Sequence, residues 1–290
     1  MKIPPRRIWR ARDYAFLTLL AGVAIWLHRQ PLMDIINIGL RDEEQSHIFL
    51  APLVAAWLLW LRRSRVRYVA LRPNLVGPAV VAGGWLASWW GFEAGIQVAW
   101  HGGAMVTLIG VLLSFTGPIP LRLFAPVFAV LAFLLPIPGG IRHSLAWPLQ
   151  EMATGVTHAT LELIGVSSLK SGNVLIINGE QVAVGEACNG MRMVFALTLV
   201  VYAFAFGTPL KPATRLILIA LSPVVAIVCN VIRLVPTSLI FGYGNVHTAQ
   251  VFHDLAGWAM LPLALIVLVG VLRMVRWLEF PVMSFRLATQ

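Results

Sequence analysis

Charge is scarce in this 290-residue chain: Asp, Glu, Lys and Arg together make up 12% of it. An ordinary soluble domain carries roughly 25%. With 59% hydrophobic residues and a mean hydropathy of +0.81, the missing solvating surface excludes a soluble enzyme, a disordered tail and a coiled coil. Two cysteines cannot build a disulfide framework, and neither stands in a CxxC or Cys/His metal spacing. GxSxG and HExxH are missing, which removes serine-elbow and zinc hydrolases. No repeat, low-complexity tract or flexible linker divides the chain, so residues 1–290 read as a single integral membrane domain. Acidic residues are few, 12 against 22 basic, for a net charge of +10. That surplus does not mark a nucleic-acid binder, whose basic residues cluster on one face. Here they fall between apolar stretches, so nucleic acid is excluded as a partner and membrane lipid is expected instead.

What is present is an all-α pattern for a polytopic membrane protein. Eight apolar stretches are candidate transmembrane helices: Tyr14–His28, Ile48–Leu61, Val76–Phe92, Gln97–Phe115, Leu121–Pro136, Gly190–Gly207, Thr214–Ile232 and Leu255–Val275. A span needs about 20 apolar residues, and the first, second and fifth are short enough for thin or re-entrant crossings. The basic start, Met1-Lys-Ile-Pro-Pro-Arg-Arg, leads into a first span with no clear cleavage site and is read as retained. With the N-terminus cytoplasmic, 16 of the 22 basic residues fall inside, and ten of the twelve acidic residues and all seven histidines fall outside. The asymmetry predicts both termini in the cytoplasm.

One long segment, about 138–187, lies on the outer side. Its first part, from Leu145 to Gly165, has the spacing of an amphipathic helix at the interface or packed on the bundle. Its second part predicts a small β-hairpin: Val174–Ile177, then Asn178-Gly179, then Glu180–Val184. Asn-Gly between strand-like runs is a strong hairpin signal because both turn residues need φ > 0.

The hairpin feeds into Glu186-Ala-Cys188-Asn-Gly-Met-Arg192 and then into the sixth span. Cys188 is thus expected at an outward-facing helix N-terminus, where a thiolate is stabilised, with Arg192 one turn on and Glu186 opposing the shift. Asn230-Val-Ile-Arg233 closes the seventh span, and an arginine near membrane depth faces a bundle interior, a partner or a watery cavity. His253 opens the eighth span in Val251-Phe-His253-Asp-Leu-Ala-Gly-Trp258. Nucleophile, proton carrier and anion stabiliser thus reach one membrane face from three consecutive spans. Each residue also has a plainer reading. Cys188 can be a small buried hydrophobe, Arg192 and Arg233 can snorkel to headgroups, and His253 can cap its helix with Asp254. Cys229 reads as core packing, and His47, His101, His143 and His158 as interfacial hydrogen-bonding groups rather than metal ligands. No metal or cofactor site is expected.

Three short boxes in order resemble the exosortase/archaeosortase group of membrane transpeptidases, the bacterial exosortases in particular. Glu186-Ala-Cys188-Asn-Gly-Met-Arg192 is similar to the family's EACSGLR-type box, with Asn189 where serine is usual. Asn230-Val-Ile-Arg233 is similar to its N-x-x-R box, and His253 ahead of Gly257-Trp258 to its H-x-x-x-G-W box. Ser46–Pro52, Leu149-Gln150 and Leu163–Gly165 add to the resemblance, which spans roughly residues 40–270.

The resemblance implies a protein-sorting enzyme of the bacterial inner membrane with its site toward the periplasm. Its partner would be the C-terminal sorting tail of a secreted protein: a Pro-Glu-Pro motif, a transmembrane helix and a basic end. The tail would be cut through a Cys thioester and the protein passed to an unidentified acceptor nucleophile, often in bacteria that make exopolysaccharide. Carried over box by box, Cys188 is the nucleophile, Arg233 the second catalytic residue and His253 the third. Arg192, Glu186 and Asn230 are supporting residues. The competing class is a transporter or flippase of polysaccharide export without peptidase activity. Against it stand the missing repeat and a polar constellation confined to one face.

Overall fold

A computed structural model describes residues 10–71, 73–183 and 191–277. The protein is 81% helical with one small three-stranded antiparallel sheet. By Cα proximity the chain forms two compact units, Met1–Pro138 and Gly139–Gln290.

The first unit contains α1 (Ala11–Leu27), α2 (Arg29–Arg41), α3 (Leu50–Leu61), α4 (Val76–Glu93), α5 (Gln97–Thr116), α6 (Ile119–Leu123) and α7 (Ala125–Leu131). Its tightest pairing is α4 on α5, where small residues let the backbones touch. A Cβ placed on Gly103 would lie 2.3 Å from the Ser88 backbone nitrogen, and one on Gly84 2.6 Å from that of Thr107. Ser88 Oγ donates to the Trp100 carbonyl across the same seam at 2.9 Å. Such close approach is how helices gain packing energy in lipid, where water supplies no driving force. Residues 29–41, read from sequence as an outer loop, form the amphipathic helix α2. It buries Pro31, Ile35 and Gly39 one turn apart.

The second unit contains α8 (Gly139–Leu163), strands β1 (Ser168–Ser171), β2 (Val174–Ile177) and β3 (Glu180–Ala183), then α9 (Met191–Gly207), α10 (Pro212–Tyr243) and α11 (Val246–Trp277). The core of α9 and α10 joins Met193, Leu197 and Val201 to Leu218, Val225, Ala226 and Cys229. Cys229 is fully buried there, as core packing predicts. The amphipathic segment is the 25-residue α8, whose buried stripe of Ala146, Gln150, Ala153, Thr157 and Leu161 follows the helical repeat. Ala153 meets Leu234 of α10 along it.

The hairpin forms at the expected turn, with Asn178 at φ 51° and Gly179 at φ 83°. A strand not foreseen, β1, pairs with the far side of β2, giving the order β1-β2-β3. Leu175, Ile177 and Val182 put the sheet's apolar face on Leu161 of α8 and on Val235, Leu239 and Phe241 of α10. Asn178 Nδ2 donates to the Gly242 carbonyl at 3.3 Å.

Helix length and composition confirm fewer than the eight expected spans. Among the described residues two helices are long and apolar enough to cross a membrane, Gln97–Thr116 and Pro212–Tyr243, or up to three if one broken pair counts as a span. Three of the other expected spans fall short in length or hydropathy. Helix α3 has 12 residues, below the about 20 a bilayer requires. The expected fifth span breaks at Phe124, where α6 ends and α7 begins. Tryptophan, glycine and Glu93 dilute the hydropathy of α4.

Candidate functional site

The α10–α11 hairpin builds what can be described of the site. Gly244 and Asn245 turn the chain, and Asn245 Oδ1 accepts from the His247 backbone nitrogen at 2.8 Å, starting α11 with a side-chain cap. Two antiparallel helices joined so tightly place residues equidistant from the turn side by side. Arg233, ten residues before the end of α10, therefore meets α11 at Gly257. A Cβ on Gly257 would lie 3.7 Å from Arg233 Nη1.

Arg233 is buried, with 6% of its surface exposed. Its Nη2 donates to Asn230 Oδ1 at 2.9 Å, and Asn230 is itself 1% exposed. One turn on, Thr237 Oγ1 donates to the Arg233 carbonyl at 2.7 Å. The i, i+3 spacing of Asn230 and Arg233 sets both on one face, so the asparagine carbonyl orients the guanidinium. A buried cation held this way is a fixed positive charge in a medium of low dielectric, the setting in which it stabilises an anion most.

His253 lies on the second turn of α11, half-buried, four residues before Gly257 and so on the face that α11 turns to Arg233. The second and third boxes of the sequence pattern therefore share one helix–helix interface. The snorkelling alternative for Arg233 fails, because its charge is inside the helical packing. Helix α10 also runs ten residues beyond Arg233 rather than ending near Ile232, so the arginine is mid-helix. Arg192 is exposed on the first turn of α9. Cys188 and Glu186 lie outside the described residues. Their flanks are the end of β3 at Ala183 and the start of α9 at Met191. Among the described residues no group of His, Cys, Asp and Glu is arranged to hold a metal.

His101 and His158 make hydrogen bonds, as expected of them, but the partners of several polar groups were not foreseen. His101, fully buried on α5, bonds Asp34 of α2 through Nε2 at 3.0 Å. The apolar spacing of residues 31, 35 and 39 was the signal that would have placed Asp34 on a packed helix. Asn173, in the β1–β2 turn, donates to Gln150 Oε1 at 2.8 Å and ties the sheet to α8. His158 Nδ1 meets Ser168 Oγ at 2.7 Å. His47, buried beside α3, has its pKa pushed below the ordinary value by burial, against the opposing pull of the Glu44 carbonyl and the Asp42 carboxylate.

No curated protein and no solved structure matches the chain. Residues 39–270, however, match the family described as transmembrane exosortase, a stretch that holds all three boxes and every described element from α3 to α10. The chain is therefore a member of the transmembrane exosortase family.

Proposed function

We propose that this protein is a cysteine transpeptidase or endopeptidase of the bacterial inner membrane. It cuts the C-terminal sorting tail of secreted proteins that carry a Pro-Glu-Pro-type motif and transfers them to an acceptor. The observation that carries the reading is the buried Arg233 guanidinium, oriented by Asn230 and set against α11 four residues from His253. Both termini lie in the cytoplasm and the site opens toward the periplasm, in line with the distribution of basic residues.

The chemistry follows from the residue types. The Cys188 thiolate attacks the scissile carbonyl, and Arg233 balances the charge of the resulting oxyanion. The intermediate collapses to a thioester as the C–N bond breaks, and the departing amine takes a proton from His253. His253 then accepts a proton from the acceptor nucleophile, which attacks the thioester and releases the Cys188 thiolate. An amine acceptor makes the reaction a transpeptidation, and water makes it hydrolysis.

The test is co-expression with a tailed secreted protein. The wild-type chain should shorten that protein and Cys188→Ala should leave it full length. Normal processing by Cys188→Ala would end the proposal, and processing by neither form would favour a transporter.

A further inference from the structure

We propose that the free edge of β3 is a strand-addition site, where an extended peptide segment of the substrate pairs with the Gln181 and Ala183 backbone. This rests on the peptidase reading above and supplies its substrate-positioning element. The register decides which groups are on offer. Ile177 and Glu180 flank a two-residue turn and exchange both hydrogen bonds, as do Leu175 and Val182. Gln181 and Ala183 stand opposite Ile176 and Val174 at the alternate positions, so their N–H and C=O groups point away from β2. No other strand pairs with this edge among the described residues, since the sheet order ends at β3. Two donor–acceptor pairs, spaced about 7 Å apart, thus face outward along one line.

The edge is also rigidly held. Val182 is buried with Leu175 and Ile177 on α8 and α10, so the strand is fixed to the helix that carries Arg233. Ala183 precedes Cys188 by five residues, a reach of at most about 18 Å of extended chain. A short strand with Gln181 and Ala183 exposed offers backbone pairing, the source of affinity when extended peptides add to sheet edges. Such pairing uses alternate residues of the guest. A Pro-Glu-Pro segment fits it, with the glutamate backbone turned to β3 and both prolines, which lack an N–H, turned away.

The pairing can be removed without unmaking the sheet. Proline at 181 or 183 deletes an outward N–H and leaves the β2–β3 bonds in place, whereas Gln181→Thr and Ala183→Val keep it. Full-length variants in membranes are co-expressed with the tailed protein. Gln181→Pro and Ala183→Pro should slow its processing about ten-fold or more, with the two controls near wild type. Proline variants that process normally would overturn the proposal.

A second measurement does not need cleavage or a folded proline variant. Gln181→Cys in a Cys188→Ala, Cys229→Ala background is oxidised against the tailed protein carrying single cysteines along its motif. Cross-links at every second residue are expected. No cross-links, or a helical repeat, would refute strand addition. Cleavage without the alternating pattern sinks the edge site alone, and the pattern without cleavage sinks only the peptidase reading.

Discussion

A methyl group added at Gly242 should push the sheet off α10. The new Cβ would sit 2.5 Å from Ile177 Cγ2, 2.8 Å from Ile177 Cβ and 3.3 Å from the Ile177 carbonyl oxygen. Carbon atoms in contact prefer about 3.5 Å, so β2 must retreat by roughly 1 Å. Ile177 cannot simply rotate away, because its Cβ is fixed by a strand paired on both sides. The retreat also stretches the bond from Asn178 to the Gly242 carbonyl, already 3.3 Å long. Overpacking of this kind costs about 1–3 kcal/mol. Alanine gains up to roughly 1 kcal/mol of helix propensity over glycine, so the comparison must cancel that gain. Gly270→Ala on α11 does so, since nothing lies within 4 Å of its added Cβ. Unfolding of the purified full-length variants in detergent should therefore place Gly242→Ala below Gly270→Ala by about 1–3 kcal/mol. Adding Ile177→Ala removes the 2.5 Å contact but not the 2.8 Å one, so the double variant should lose less than the sum of its parts. Equal stability of the two glycine variants, or strict additivity of the pair, would refute the docking described.

Further outcomes follow from the same geometry. In the first unit, Gly103→Ala drives a Cβ to within 2.3 Å of the Ser88 backbone nitrogen, while Gly83→Ala meets nothing within 4 Å. Unfolding in detergent should show the former destabilised by about 1–3 kcal/mol relative to the latter. Asn230→Ala leaves the buried Arg233 without its 2.9 Å acceptor and should cost roughly 1–3 kcal/mol, with processing slowed, as measured by unfolding and a processing assay. At Gly257 an alanine Cβ makes ordinary contact with Arg233 at 3.7 Å, so Gly257→Ala should process normally and Gly257→Leu, which displaces the guanidinium, should not. For His47, burial lowers the folded pKa below the unfolded 6.5, so the neutral ring is favoured by the fold. Its contribution is present above pH 6.5 and lost as the pH falls toward the folded value. The stability difference between wild type and His47→Gln should shift against wild type over that window in an acid titration, and a pH-independent difference would contradict the burial.

The sequence made the helices and the turn legible where a local rule decides. Asn178-Gly179 allowed only a tight hairpin, and the apolar runs of α5 and α10 could form nothing but helices. Strand β1 was invisible because Ser168–Ser171 has no alternating apolar pattern and exists through its pairing with β2. The end of α10 was misplaced for a related reason. Pro236 and the polar Thr237 and Ser238 look like a stop, yet the sheet and α8 pack on Val235, Leu239 and Phe241, and the helix runs on to Tyr243. Helix α2 was missed because its apolar residues are too few for a span and only their spacing reveals a packed face. Of the candidate site, the pairing of Asn230 with Arg233 was readable from a three-residue interval on a helix. The contact of Arg233 with Gly257 needed the α10–α11 turn, whose tightness no single motif declares.

Helix α10 has a further consequence as a measuring device. From Pro212 to Arg233 it rises roughly 30 Å, about one hydrocarbon thickness, and the ten residues beyond add about 15 Å that carry the sheet. Were Pro212 at one bilayer surface, a straight rod of this length would carry the guanidinium to the depth of the opposite one, with the sheet-bearing turns beyond it. The height of the arginine is then written into the residue count of one rod. Inserting a single residue below Cys229 would raise it by about 1.5 Å and swing it about 100° around the axis, away from α11.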